Sequence, residues 1–166
     1  MSEVNPYQPP SAELAEPSAP SGELASRGAR FAGAMIDGLV NAAVIFPAMY
    51  LGGVWEGFPN IEPLGLREQV LWALFGFAIA LAINGWLIAT SGQTVGKRVV
   101  GTRIVRSDGS RISLARYFGL RMLPVGLLNF VPIAGSLFAT ANVLFIFRRD
   151  RRCVHDLIAG TIVVNA

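Results

Sequence analysis

The chain has 166 residues, 52% of them hydrophobic and 15% charged, with a formal net charge of +3. Soluble domains carry roughly 25% charged residues, so this composition excludes an ordinary soluble enzyme; the length sets an expectation of one domain. A single cysteine, Cys153, excludes an intramolecular disulfide framework, and a single histidine with few acids argues against a metal site.

Residues 1–24 hold five prolines and four glutamates and almost no aliphatic bulk. They cannot bury enough surface to offset the entropy of ordering. They read as a disordered, Pro/Glu-rich cytoplasmic tail, and residues 25–166 read as a membrane domain. Residues 31–55 carry one charge, Asp37, and residues 69–90 carry none. A spanning helix needs about 20 mostly apolar residues, so helices are expected over about 29–52 and 68–90. Residues 122–147 are also uncharged. Taken as one helix they give three crossings. Broken near Asn129 and Pro132, they give four, with helices over about 112–130 and 132–147.

Basic residues decide between the two. Lys97, Arg98, Arg103, Arg106, Arg111, Arg116 and Arg121 follow the second helix, and the run RRDRR occupies 148–152. Lys and Arg favour the cytoplasmic side. Both segments lie there only if an even number of crossings separates them. The expected fold is therefore an all-α integral membrane protein of about four transmembrane helices, in two hairpins, with both termini cytoplasmic. A small cytoplasmic β element accompanies it: residues 99–105 and 111–113 flank Asp108-Gly109, a hairpin signal, and 160–164 is a β-prone run able to pair with 99–105.

Several residues stand out chemically. Arg30 and Asp37 lie two helical turns apart on one face, with Cα atoms about 10 Å apart along the axis. Asp37 sits inside an apolar helix, where a carboxylate is costly and is a functional-site hypothesis by default. It serves either as an Arg–Asp staple or as a transport carboxylate. Asn84 is a polar partner for Asp37 or an interhelical amide, in a small-residue stripe with Gly76 and Ala80. Gly92-Gln-Thr-Val-Gly96-Lys97-Arg98 fails the phosphate-loop spacing and reads as a helix exit turn. Asp156 can orient His155 or pair with Arg30, Arg98 or Arg152. Lys97, Arg98, Arg103, Arg116 and Arg121 form a basic belt suited to anionic lipid headgroups. No convergent catalytic set is visible, so neither enzyme activity nor a cofactor is expected, nor is nucleic acid binding.

The stretches LASRGARFAGAMIDGLV (24–40), SGQTVGKRVVGTRIVRSDGSRISLARYFGLRML (91–123) and RRDRRCVHDLIAGTIVV (148–164) together resemble the RDD family of bacterial membrane proteins. Arg30, Asp37 and Asp156 match the arginine and two aspartates that name it. The resemblance implies a multi-pass protein of the bacterial inner membrane. It implies a transport-related role, such as cation/proton exchange or small-solute movement, in a largely uncharacterised family. The alternative is a membrane accessory or scaffold protein that binds a partner through its cytoplasmic face. The expected partners are the lipid bilayer and either further copies of the chain or another membrane protein.

Overall fold

The structure, a computed structural model, describes residues 22–60, 63–128, 130–131 and 133–166. Most of the expected tail, and the expected break at Asn129 and Pro132, lie outside the described residues. Two long helices come first. Helix α1 spans Arg27–Leu51 and α2 spans Leu66–Ser91. Ser26 starts α1 by accepting a hydrogen bond from Ala29 N–H at 3.1 Å, which satisfies one of the amides a helix start leaves unpaired. At 25 and 26 residues and 1.5 Å per residue, each is about 38 Å long. Both are long and apolar enough to cross a membrane, whose hydrocarbon core is about 30 Å thick.

Gly92 ends α2 in the left-handed conformation (φ 68°). A Cβ there would meet the Ile104 carbonyl oxygen at 2.6 Å, so the turn needs glycine on two counts. The chain reverses into a short helix α3, Val95–Val99, and then strand β1, Thr102–Arg106. Strand β1 pairs antiparallel with β2, Thr161–Asn165, from Thr102 opposite Asn165 to Arg106 opposite Thr161. The expected local hairpin is reduced to one bridge, Val105 to Arg111. The reason is local: the Ser113 hydroxyl accepts from Arg116 N–H at 3.3 Å, so the chain is already starting a helix where the second strand was expected. Leu24 bridges Val164 on the free edge of β2, so the end of the expected tail joins the sheet.

The third helical segment differs from a plain helix over 112–130. Arg116–Met122 is π-helical and is followed by α4, Leu123–Leu128. Pro124 has no N–H to give the carbonyl four residues back and its ring crowds that carbonyl; the wider π turn accommodates it, with Leu123 N–H bonded to Phe118 O. Helix α5, Ala134–Leu144, ends in a 3-10 turn, Phe145–Phe147, and the short α6, Val154–Ala159, leads into β2. The arms Arg116–Leu128 and Ala134–Phe147 reach about 20 Å each, well short of α1 and α2.

The core lies at one end of the long helices. Ile88 from α2, Ile104 from β1, Ile112, Tyr117 and Phe118 from the π segment, and Val163 from β2 pack together there. Large apolar residues along the rest of α1 and α2, such as Leu39, Phe46, Leu74 and Trp86, are exposed. Such an outward apolar surface is what a hydrocarbon solvent requires.

Candidate functional site

Three side chains complete the start of α3. The first N–H groups of any helix lack intrahelical partners. Asn84 Oδ1, from α2, accepts from Val95 N–H at 2.9 Å. Asp37 Oδ1, from α1, accepts from Gly96 N–H at 2.7 Å. The Thr94 hydroxyl accepts from Lys97 N–H at 3.3 Å and donates to Asp37 Oδ2 at 2.5 Å. Helices α1 and α3 approach here through glycine. A Cβ on Gly96 would overlap the Gly33 carbonyl oxygen and lie 2.9 Å from Asp37 N. The result is that Lys97 is carried inward: it is 9% exposed, and its Nζ lies 3.9 Å from Asp37 Oδ2. Burial, reinforced by the nearby Arg121 guanidinium, lowers the Lys97 ammonium to about 8.

A second cluster closes the other side. Asp156 is fully buried and forms ion pairs with two arginines, Arg30 from α1 and Arg121 from the π segment. The Arg121 contact is 2.8 Å. Asp156 also accepts from Cys153 N–H at 3.1 Å, capping α6, and from the Thr161 hydroxyl at 3.3 Å. Burial alone would raise this carboxyl; Arg121 and Arg30 outweigh it and hold it well below the usual carboxylate range. Arg30 also donates to the Arg151 carbonyl. Arg151 adopts a left-handed φ of 51°, a turn that aims its carbonyl at Arg30 while its guanidinium bonds Leu24 O at 3.0 Å. These bonds join both ends of the described chain to the helices.

His155 lies between Asn142 Oδ1 (2.8 Å from Nδ1) and Arg121 (3.1 Å from Nε2). A guanidinium only donates, so Nε2 is the acceptor and Nδ1 carries the proton. Burial and the Arg121 charge lower the imidazole to about 3, which keeps it neutral. Cys153, His155 and Asp156 bring ligand atoms within 4.8 Å of one another. This trio is a poor cation site: Asp156 is already neutralised by two guanidiniums, which would repel a metal ion, and burial raises the Cys153 thiol.

The expected residues therefore separate. Arg30, Asp156 and His155 form one cluster; Asp37 and Asn84 form another and meet through the α3 backbone rather than with each other. Arg30 and Asp37 do not pair directly: each finds a partner from a distant segment. Arg98 and Arg103 are exposed and outside both clusters. Arg116 donates to the Ala159 carbonyl at 2.9 Å, closing the end of α6. Lys97 and Arg121, expected among lipid headgroups, are instead buried at 9% and 7% exposure, because each has a carboxylate partner inside. Thr94, Gly96 and Asn142 were not singled out for the site. Thr94 and Gly96 had a signal in the Thr-Val-Gly-Lys turn; Asn142 had none beyond being polar in an apolar run.

This arrangement belongs to a defined class. The RDD family model matches residues 24–160, and the chain belongs to the RDD family. An uncharacterised Bacillus subtilis (strain 168) protein, YckC, is 44% identical over 75 residues, covering 45% of this chain and 48% of YckC. The match thus spans about half of that relative. An uncharacterised protein of Haemophilus influenzae is 28% identical over 142 residues, 85% of this chain and 78% of the relative. No solved structure matches.

Proposed function

We propose that the chain is an inner-membrane protein of four crossings, both termini cytoplasmic, that moves a small solute in a proton-linked manner. The topology draws support from the sheet and the two clusters. The start of α1, the end of α2, the start of the π segment and residues 148–165 all meet at one end. Residues 116–147 must therefore leave that end and return to it. An even number of crossings over that stretch fits this placement, with the membrane thinned around the shorter hairpin.

The observation that carries the transport reading is the Asp37–Lys97 pair. A carboxylate about two turns inside an apolar helix holds a buried ammonium that changes charge near neutral pH. The Lys97 charge is sensed by Arg30 and Asp37 on α1, Arg121 on the π segment, and Asp156 on α6. Below about pH 8 the lysine is charged; above it the proton leaves and the surrounding charges balance, two guanidiniums against two carboxylates. Asp37→Asn keeps the oxygen facing Gly96 N–H, and the Thr94 hydroxyl can reverse to accept from the amide. This variant is expected to stay folded and to lose the pairing charge. The test is proton movement in proteoliposomes with a pH-sensitive dye, under imposed solute gradients. Flux in the wild type and its loss in folded Asp37→Asn is the expected result. No flux from well-folded wild type, across cations and anions, overturns the reading and leaves the accessory role.

A further inference from the structure

Lys97 from the first cluster and Arg30, Arg121 and His155 from the second line one cavity of about 470 Å³, together with the first turns of α1 and the end of α5. That volume lies in the range of ligand pockets, roughly 300–1,000 Å³. Its charge is unbalanced. Arg30, Lys97 and Arg121 are buried cations; Asp156 and Asp37 are the carboxylates that face them. Three positive charges meet two negative ones. Arg27 adds another cation at the mouth, where it donates to the Ile146 and Phe147 carbonyls. Among the described residues Lys97 Nζ has no acceptor within hydrogen-bond range: its one ion-pair partner stands at 3.9 Å. An ammonium so placed, on the cavity wall, is free to bond an anion that comes closer than Asp37 does.

The lining also carries apolar side chains. Phe31 and Phe147, 56% and 67% exposed, stand beside Ile146 at the mouth between α1 and the end of α5. A small inorganic anion would fill the polar end and leave these side chains uncovered. We infer that the cavity binds a single-chain amphiphilic anion, with its phosphate or carboxylate head at Lys97, Arg30 and Arg121 and its hydrocarbon chain between Phe31 and Phe147. The excess cation count selects the charge, and the apolar mouth selects the chain. This deepens the transport reading by naming its solute class and rests on it for any movement; the site itself is tested by binding alone.

Dodecyl phosphate is the probe, added to the full chain in phosphatidylcholine nanodiscs and followed by native mass spectrometry and thermal shift. Saturable binding is expected, with dodecanol and inorganic phosphate at least tenfold weaker. Lys97→Met is expected to weaken binding tenfold or more, and Lys97→Arg to retain it. Binding to the wild type should decline as pH rises through about 8, and this dependence should vanish in Lys97→Arg. Ala34→Phe is the second variant: Ala34 lines the cavity and is exposed, so the ring fills the site without disturbing the core. It should abolish binding at unchanged thermal stability. Dodecanol binding equal to dodecyl phosphate would overturn the inference, as would wild-type affinity in both Lys97→Met and Ala34→Phe. Binding without flux in proteoliposomes keeps the site and removes the transport reading; inorganic phosphate binding as tightly as dodecyl phosphate overturns the inference.

Discussion

Asp156→Asn removes the carboxylate that neutralises two buried guanidiniums. Arg30 and Arg121 are 6% and 7% exposed, so each keeps a largely buried charge without its carboxylate when that partner is lost. Asparagine keeps one acceptor oxygen, enough for one arginine or for the Cys153 amide, and its NH₂ points a donor at the other. Breaking a buried pair by removing one partner costs about 3–5 kcal/mol. At about 2–4 °C per kcal/mol for a chain of this size, the melting temperature should fall by roughly 6–20 °C. The assay is thermal unfolding of detergent-purified protein, with size-exclusion profiles to follow folded yield. A double-mutant cycle with Arg30→Gln isolates the pair: the second substitution should cost far less once Asp156 is gone. An unchanged melting temperature in Asp156→Asn would refute the argument, since it would mean that both guanidiniums are compensated elsewhere.

Two further outcomes follow from the same geometry. Gly96→Ala should destabilise by about 2–3 kcal/mol through overpacking, because the new Cβ meets the α1 backbone; a melting temperature within a degree of wild type would contradict the close approach. His155, the single histidine, is held neutral to about pH 3 against an ordinary value of 6.5. The unfolded chain therefore binds a proton that the folded chain refuses as pH falls below 6.5, and stability drops in that window. By pH 5 the loss should be about 2 kcal/mol. Asp156 works in the same sense but only below its unfolded value of 3.8, so a slope between pH 6.5 and 5 that persists in His155→Gln would show that His155 is not its source.

Composition alone makes α1 and α2 legible, since nothing but a helix satisfies backbone polar groups across 20 apolar residues in hydrocarbon. The β-prone runs were legible as strands, but the partner of β1 was not settled by the Asp108-Gly109 turn. A nearby turn competes with a distant strand, and β2 offers Ile162, Val163 and Val164, all buried on pairing. The π turn was illegible because Pro124 signals a break without saying which turn absorbs it. Arg121 is the instructive case. Its place near the start of an apolar run suggested a side chain reaching for lipid headgroups. The same isolation fits an arginine buried against a carboxylate, and only the position of Asp156, on a segment 35 residues further on, distinguishes them. Asp37 was legible as costly, but its partners Thr94 and Gly96 lie 57 and 59 residues away, beyond any local pattern.

Arg30 and Asp156 are 126 residues apart, and that separation has a consequence in time. At about 5–20 residues per second of synthesis, Arg30 is made roughly 6–25 s before its carboxylate exists. Throughout that interval Arg30 lacks the carboxylate that pairs with it in the folded chain. The Arg30–Asp156 contact can thus form only after every element from α1 to α6 has been synthesised, so it joins the first helix of the chain to its last.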